Sequence, residues 1–597
     1  MTTYVAPVRD MLFVINELAG LDEVASLPGC EEVSPDLVEA ILDEAGKFAG
    51  EVLAPLNQSG DREGSRLEGG GVVTPQGFRE AYRRFVENGW TTLAGKPEFG
   101  GQGLPYLVAM PVQEMWKAAN LAFSLCPMLT QGAMEALYHH ASAAQQQLFI
   151  PRMLKGEWTG TMNLTEPQAG SDLSAVRSKA VREGDHYRIT GTKIFITWGD
   201  QDFTSNIVHM VLARLPDAPE GVKGISLFIV PKFLVNPDGS LGPRNDVQCV
   251  SLEHKMGIHA SPTAVLAYGE QGGAVGYLVG APNRGLEYMF TMMNHARLNV
   301  GLEGVAIADR ACQAALAYAR ERVQGRPAGL KAGERVTILH HPDVRRMLMS
   351  MKAQVEAMRA LAYFTAAAMD KANRHPDAAE RKRQQMLVDL LTPVVKGWST
   401  ELAIEVASTG IQVHGGMGYI EETGACQHLR DARITTIYEG TTGIQANDLI
   451  GRKLARENGV TAKALIADMR ASEGIVSSLD VDDCAAIGAA LRRGIDALEA
   501  ATEWLLETSP RDPGAAAAGA VPYLKLFGTV AGGWQMARAA AKSHARVAAG
   551  HGDTSFYRSK IVTARFYAEH VLSLAPGYRQ AVTHGARATM GLEEGQF

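Results

Sequence analysis

Apolar residues recur at helical spacing through the first quarter of the chain. Leu37, Ile41 and Ala45 fall on one face of a helix, and the segment 133–153 repeats the pattern. Apolar positions three and four residues apart are typical of an amphipathic helix. The pattern predicts an N-terminal helical domain over residues 1–155.

The period of the pattern changes over residues 156–281. Short runs of β-branched and aromatic residues are separated there by Gly, Pro and Asp turns, which is typical of consecutive strands. We expect a compact β domain whose strands include Tyr187–Thr190, Lys193–Ile196, Ile207–Leu212 and Ile225–Val230.

Long helical patterns return after Pro282. They predict a helix-bundle domain over 282–455 with helices at roughly 284–323, 341–374 and 377–412, the last bent near Pro393 because proline removes a backbone donor. A further all-helical extension is expected over residues 456–597. Its alanine-rich helices are predicted at Asp482–Glu507, Val521–Ala549 and Ser555–Leu574. The fold class is therefore predicted to be α+β with four domains.

Composition narrows the function only slightly. The chain has 597 residues, 46% hydrophobic and 21% charged, with a net charge of -7. This balance disfavours the basic footprint that dominates nucleic-acid binding. Residues 513–590 alone hold nine Lys or Arg against two acids. A helical basic face is more often solvated or paired with acidic neighbours, so nucleic-acid binding is not expected.

Cysteine spacing and the N-terminus indicate a cytoplasmic protein. The six cysteines lie far apart with no C-x-x-C pair, which fits reduced thiols rather than a disulfide framework or a metal site. The first ten residues have no targeting pattern, and no apolar run is long enough to span a bilayer. We expect no metal and no membrane span.

Three stretches could bind a ligand. Met162–Asp172 packs hydroxyls and backbone amides into a Gly and Pro turn that can offer donors to an anion or a planar ring. Phe195–Gly199 places two aromatic residues around a hydroxyl, and the glycines of Gln412–Tyr419 allow backbone to approach a phosphate. Taken singly, each has an alternative: a polar turn, an apolar strand end and a helix C-cap, respectively.

Glu439 stands between an apolar strip and a glycine, just ahead of a predicted helix. Thr442 and Gln445 have the spacing of a capping box, and Leu449, Ile450 and Leu454 follow at helical intervals. A helix N-terminus favours a charged carboxylate, which suits a proton acceptor. The alternative is an acidic residue that only complements the helix dipole. We interpret Glu439 as a catalytic base.

Taken together, the motifs T-E-P-x-A-G-S-D, aromatic-I-T, Q-x-x-G-G-x-G-Y and Y-E-G-T occur in an order that resembles the acyl-CoA dehydrogenase family of flavoproteins. The resemblance covers about residues 35–456. The longer bacterial branch that includes methylthiopropanoyl-CoA dehydrogenases is resembled in three parts: the opening Tyr4–Asp10, the segment Glu253–Thr263 and the helical tail. The implied fold is an N-terminal helical domain, a middle β-barrel-like domain, a C-terminal four-helix bundle and the extra helical extension.

The implied activity is FAD-dependent α,β-desaturation of an acyl-CoA thioester to a trans-2-enoyl-CoA, as in fatty acid β-oxidation. Glu439 would remove the α-proton, and its backbone N–H would help to stabilise the enolate oxygen. By the same resemblance, CoA or the acyl chain would contact Ser171, Asn294, Arg297 and Gly440. FAD would contact Met162, Leu164, Thr165, Gly170, Ser171, Phe195, Ile196, Thr197, Arg322, Gln324, Gln412, Gly415, Gly416 and Thr441.

The resemblance also implies a homodimer, since the 412–416 turn would bind a neighbouring subunit's FAD, and an electron-transfer flavoprotein as electron acceptor. An acyl-CoA oxidase that uses oxygen and a flavin-containing nucleic-acid-binding relative are the alternatives. Some positions depart from the family pattern: Asn294 replaces a common Asp, Phe195 replaces a Trp, and Trp198, Gln324 and Pro342 are also atypical. Arg297 could instead belong to a solvated helix face.

Overall fold

The computed structural model describes residues 4–327, 335–550 and 552–597. These residues form two compact units. One contains residues 47–104 and 115–299, and the other contains residues up to 46, residues 105–114 and residues from 300 onward. The described residues exclude 1–3, 328–334 and His551. The division into domains at 1–155, 156–281, 282–455 and 456–597 stays a prediction.

Strands occupy the middle of the chain, as the period-2 pattern predicts, and two further short strands between residues 66 and 73 interrupt the segment predicted to be helical. They are β1 Arg66–Glu68, β2 Gly71–Val73, β3 Trp158–Asn163, β4 Lys179–Glu183, β5 His186–Thr197, β6 Asn206–Arg214, β7 Ile225–Pro231, β8 Phe233–Val235, β9 Leu241–Arg244, β10 Val247–Leu252, β11 Thr263–Tyr268 and β12 Ala274–Leu278.

The main sheet of the described residues has the strand order β10-β11-β5-β12-β7-β6-β3, with β4 paired to β5 and β6. Strand β3 runs parallel to β6, whereas β6 and β7 are antiparallel. Val211, Phe228 and Val230 lie in the core of this sheet. Strands β6 and β7 are buried along almost their whole length, which explains why they read as continuous apolar runs.

Strand β5 is longer than the sequence pattern predicted. The runs 187–190 and 193–196 are one strand, His186–Thr197, that continues through Gly191. A Cβ at Gly191 would lie 2.4 Å from Ser178 Oγ, and its φ is 144°. Glycine therefore lets the strand pass close to Ser178, and the apparent break in the pattern is a site of close backbone approach.

Helices account for most of the remaining chain. They are α1 Val8–Phe13, α2 Leu21–Ala25, α3 Pro35–Phe48, α4 Pro55–Glu63, α5 Phe78–Glu87, α6 Tyr106–Ala119, α7 Leu121–His140, α8 Ala143–Leu154, α9 Gly285–Glu321, α10 Pro342–Arg374, α11 Ala378–His414, α12 Ala425–Thr435, α13 Thr442–Asp448, α14 Val460–Ser477, α15 Asp482–Thr508, α16 Pro513–Ala518, α17 Ala520–Ala548, α18 Thr554–His570, α19 Ala575–His584 and α20 Ala586–Thr589.

The predicted bundle helices are confirmed as α9, α10 and α11, and α11 continues through Pro393. The predicted extension helices are confirmed as α15, α17 and α18, and α14, α16, α19 and α20 are additional. Helix α17 packs on α11 through small residues: a Cβ at Gly528 would lie 2.2 Å from Trp398 Cγ. Close helix packing of this kind is what the alanine-rich and glycine-rich composition of the tail allows.

The N-terminal segment 8–19 also packs on the extension. Arg9 pairs with Asp553 at 2.7 Å, and the rings of Phe13 and Phe556 lie 5.8 Å apart. Asp10 contacts Lys560 and lies 2.6 Å from Arg359. Within the described ranges, no helix is both long enough and apolar enough to cross a lipid bilayer.

Candidate active site

The loop after β3 is held by a buried ion pair. Glu166 accepts hydrogen bonds from Lys193 Nζ at 2.8 Å, from the backbone N–H of Arg177 at 2.7 Å and from Ser178 Oγ at 2.6 Å. Lys193 also donates to the carbonyl of Leu164 at 3.0 Å. These bonds fix a loop that otherwise has little regular structure.

Burial alone would raise the pKa of Glu166, but the ammonium of Lys193 and the other donors lower it to about 2. Burial lowers the pKa of Lys193 to about 8, because it outweighs the attraction of the carboxylate. Both groups are therefore charged at neutral pH.

The residues that this loop presents include several predicted FAD contacts. Gly170 and Ser171 are exposed, Met162 and Thr165 are half-buried, and Leu164 is 9% exposed. A Cβ added to Gly170 would meet no atom within 4 Å. The chain's own packing therefore leaves space at Gly170, which fits the close approach of a bound group.

Phe195 and Trp198 do not form two walls around Thr197. Trp198 is completely buried, donates from Nε1 to the carbonyl of Ala122 at 3.1 Å and packs 4.9 Å from the ring of Phe203. Phe195 is 59% exposed and has a φ of 59°. A bulky residue in the left-handed region is strained, and such strain is concentrated at functional sites.

Trp198 is thus a core residue because an aromatic cluster lies beneath it, and its predicted part in a flavin wall is wrong. The role of Phe195 as an FAD contact stays a prediction. Ile196 is buried beside it, and Thr197 is half-buried and paired with Thr263 in the sheet.

Asn294 and Arg297 lie on the same turn of α9 but differ in environment. Asn294 is exposed, whereas Arg297 is 4% exposed with its guanidinium 5.9 Å from the centre of the Phe290 ring. Arg297 does not lie on a solvated helix face, so that alternative is wrong. The contact of Arg297 with CoA stays a prediction.

Glu439 lies in a left-handed turn ahead of α13. Its φ is 55°, and that of the following Gly440 is 90°. Three donor contacts hold the two carbonyls of this turn: Gln445 Nε2 donates to Glu439 O at 3.0 Å and to Gly440 O at 3.2 Å, and Lys396 Nζ donates to Gly440 O at 2.6 Å. Lys396 and Gln445 are completely buried.

The cap of α13 lies one residue earlier than predicted. The helix begins at Thr442, and the Oγ1 of Thr441 accepts from the N–H of Ile444 at 3.3 Å. Thr442 is therefore not the cap residue, and Gln445 supports the Glu439 turn instead of closing a capping box. Thr442 Oγ1 donates to Glu401 at 2.7 Å.

Tyr438 is tied to the bundle. Its hydroxyl donates to the buried carboxylate of Glu303 on α9. Burial raises the pKa of Tyr438 well above its ordinary value, and the nearby carboxylates of Glu303 and Glu439 raise it further. Tyr438 therefore stays a neutral donor.

The residues predicted to hold the adenine and pyrophosphate are exposed: Arg322, Gln324, Gln412, Gly415 and Gly416. Helix α11 ends at His414, and Gly415 has a φ of 61°. A Cβ added to Gly416 would meet no atom within 4 Å, and its φ lies outside the left-handed region. Neither the packing nor the backbone conformation of this chain requires glycine at 416.

Four of the nine basic residues of the tail have the following partners within the chain. Lys560 is buried against acidic residues, Arg546 pairs with Glu17, Arg565 pairs with Asp483 at 2.5 Å, and Arg538 donates to Leu18 O at 2.7 Å. In the described residues, no cluster of His, Cys, Asp and Glu could hold a metal ion.

Four family models match successive parts of this chain. They are the acyl-CoA dehydrogenase N-terminal domain at 36–157, the acyl-CoA dehydrogenase middle domain at 161–268, the acyl-CoA dehydrogenase C-terminal domain at 283–454 and an acetyl-CoA dehydrogenase C-terminal-like domain at 463–593.

Full-length relatives give the same result. The chain is 50% identical to a 3-methylmercaptopropionyl-CoA dehydrogenase of Ruegeria pomeroyi over 573 residues, which is 96% of each chain. It is 35% identical to a butyryl-CoA dehydrogenase of Syntrophomonas wolfei over 96% of this chain and 95% of the relative. ACDH-11 of Caenorhabditis elegans has the same fold, with a TM-score of 0.77 at 21% identity over 98% of this chain and 95% of that one.

Proposed function

The chain belongs to the acyl-CoA dehydrogenase family, and we propose that it acts on short linear acyl-CoA thioesters, with Glu439 as the base. It is an FAD-dependent oxidoreductase that dehydrogenates acyl-CoA, and the predicted fold and resemblance are confirmed. The identity of the catalytic base, the ligand contacts, the length of the acyl chain and the electron acceptor are parts of the proposal.

The conformation of Glu439 is the observation that carries the assignment of the base. A glutamate at φ 55° is strained by an amount on the order of 1–3 kcal/mol, and such strain persists only where the surroundings fix it. Lys396 and Gln445 supply that fixation from buried positions. The fold thus maintains an unfavourable turn at the proposed base, which supports this assignment.

Glu439 takes the α-proton in this mechanism, and its backbone N–H donates to the thioester oxygen as negative charge develops there. Losing one such donor costs roughly a hundredfold to a thousandfold in rate. FAD, when bound, accepts the β-hydrogen as hydride. The hydrogen bond from Tyr438 to Glu303 holds the residue directly before Glu439 in place.

The residues proposed to hold FAD fit a bound group. Gly170 and Gly416 lack side chains where the chain itself leaves open space, and Phe195 offers an exposed ring. Thr165, Ser171 and Thr441 add hydroxyl donors. Met162, Leu164, Ile196 and Thr197 would line the ring, and Arg322, Gln324, Gln412 and Gly415 would meet the adenine and pyrophosphate.

The names of two relatives support a short acyl chain. One relative is a 3-methylmercaptopropionyl-CoA dehydrogenase and another a butyryl-CoA dehydrogenase. A thioether sulfur is soft and polarisable and replaces a methylene at little cost in an apolar pocket. We therefore propose 3-methylmercaptopropionyl-CoA and unbranched acyl chains of similar length as substrates, with CoA contacts at Ser171, Asn294, Arg297 and Gly440.

The proposal also includes a homodimer and transfer of electrons to an electron-transfer flavoprotein, both on the basis of family resemblance. Light scattering should give the mass of two chains; a mass near four would contradict the dimer. An oxidase would consume oxygen and release peroxide with acyl-CoA, whereas a dehydrogenase reduces the flavoprotein and consumes little oxygen.

Anaerobic bleaching of the flavin tests the substrate. We expect 3-methylmercaptopropionyl-CoA and butyryl-CoA to bleach the purified protein faster than long, branched or aromatic acyl-CoAs. Bleaching by long chains alone would contradict the proposed chain length, and no bleaching with any thioester would contradict the activity. Glu439→Gln should retain the yellow colour and thioester binding while losing the bleaching.

A further inference from the structure

We propose that the C-terminal extension positions the turn at Glu439, and that Lys396 is the positioning residue through which helix α17 acts. This inference rests on the proposed role of Glu439. It assigns the extension a part in the reaction in addition to covering the bundle.

Lys396 is the direct link to the turn. It lies inside α11, is completely buried and donates from Nζ to the carbonyl of Gly440 at 2.6 Å. A buried ammonium requires a fixed acceptor, because desolvation makes an unmet charge costly. The position of α11 at Lys396 therefore sets where the carbonyl of Gly440, and with it the backbone of Glu439, can lie.

Helix α17 determines that position of α11. A Cβ added to Gly397, next to Lys396, would lie 2.6 Å from Leu524 of α17. Trp398, the next residue of α11, packs against Gly528 and Gly532 of α17. A Cβ added to these glycines would lie 2.2 and 2.7 Å from the indole, respectively. Such close packing leaves α11 little freedom to shift along or away from α17.

A second connection runs from the same helix to the start of α13. Lys525 of α17 lies 3.7 Å from Glu401 of α11, and Glu401 accepts from Thr442 Oγ1 at 2.7 Å. Thr442 is the first residue of α13 and follows the turn by two residues. The extension is thus connected through α11 to two residues that follow Glu439, Gly440 and Thr442.

Two buried residues of the extension, Lys560 and Leu572, offer matched controls. Lys560 is also a buried lysine of the extension interface, but it pairs with Asp10 and with Glu356, 3.0 Å away, rather than with the turn. Leu572 is likewise a buried leucine, and it packs on Gly494 and Gly533 inside the extension rather than on α11. We expect substitutions at Lys560 and Leu572 to loosen the extension while leaving the contacts of Lys396 and Gly397 in place.

The experiment compares Lys396→Met and Leu524→Ala with the controls Lys560→Met and Leu572→Ala in the full-length FAD-loaded protein. The probe is butyryl-CoA in anaerobic stopped flow. A displacement of about 1 Å in a reacting group costs about a hundredfold, so we expect Lys396→Met to lower the limiting bleaching rate about 10- to 100-fold. The half-saturating thioester concentration should change less than about twofold, and the flavin spectrum should persist.

Leu524→Ala should lower the same rate about threefold or more, since α11 is then free to shift. Hydrogen exchange of peptides covering 436–445 should accelerate in Lys396→Met and Leu524→Ala but not in the two controls. Exchange is measured independently of activity, and it decides the question through Leu524→Ala if Lys396→Met does not fold.

Wild-type bleaching and exchange in Lys396→Met and Leu524→Ala would overturn the inference, as would an equal loss of rate in the controls. A bleaching Glu439→Gln protein would instead overturn the proposed base. The two failures are therefore distinguishable.

Discussion

Lys193 Nζ lies 2.8 Å from Glu166 Oε1, and both side chains are almost fully buried. The pair joins strand β5 to the loop after β3, which carries the residues proposed to contact FAD. The ion pair therefore holds in place a loop that presents polar groups outward, and it does so from the interior of the β-rich unit.

Replacing Lys193 by Met should destabilise this loop. Removing one partner of a buried pair leaves an uncompensated charge and costs about 3–5 kcal/mol. We expect the temperature at which FAD fluorescence is released to fall by several degrees. Arg188→Ala, which breaks an exposed pair with Glu183 in the same unit, is the control and should cost about 0–1 kcal/mol. Equal shifts in both variants would refute a special role for the buried pair.

The same pair predicts how FAD retention depends on pH. The pKa of Glu166 is lowered from 4.5 to about 2 in the folded protein, so the unfolded state binds more protons between these values. The stabilisation is complete above pH 4.5 and is lost as the pH falls towards 2. Retained FAD, measured after filtration across this range, should decline in the wild type, whereas Glu166→Gln should lack this part of the decline.

Substitutions at Phe195 can distinguish the effect of backbone strain from the effect of contact with the ligand. Its φ of 59° costs an L-residue about 1–2 kcal/mol, which glycine avoids. We expect the apoprotein of Phe195→Gly to be more stable than that of Phe195→Ala by about 1 kcal/mol. Both variants should bind FAD more weakly, because both lose the exposed ring. Titration of the apoproteins with FAD checks this, and unchanged affinity would remove Phe195 from the proposed site.

Gly416→Ala should leave the apoprotein's thermal unfolding unchanged, because the added Cβ meets no atom of this chain within 4 Å. Overpacking against a bound group costs about 1–3 kcal/mol, so FAD affinity should fall about 5- to 150-fold. Gly451→Ala is the matched control, since its Cβ is equally unobstructed. FAD affinity that is equal in the two variants would contradict the proposed close approach at Gly416.

Local patterns predicted the helices and strands well, because periodicity records which face of an element is buried. They were less reliable where the environment of a residue depends on residues distant in sequence. Trp198 was placed beside a ligand because its burial depends on Phe203 and Ala122, and the cap of α13 was placed at Thr442 instead of Thr441. Helix α14 was not predicted.

The residues that hold the site were also missed. Glu166 and Lys193 are 27 residues apart, and Lys396 lies 44 residues before Gly440. No spacing rule connects such positions, because each pair meets only through tertiary packing. A lysine next to an apolar run was the available signal, as at Lys193 and Lys396.

The contacts of the segment 8–19 imply a delay during synthesis. Asp10 and its partner Lys560 are separated by 550 positions, and Leu18 and Arg538 by 520. At about 5–20 residues per second, the segment waits roughly half a minute to two minutes on the ribosome for its partners. Phe13 lacks the rings of Phe556 and Tyr557 over this interval, so the nascent chain carries apolar surface that its last helices must later cover.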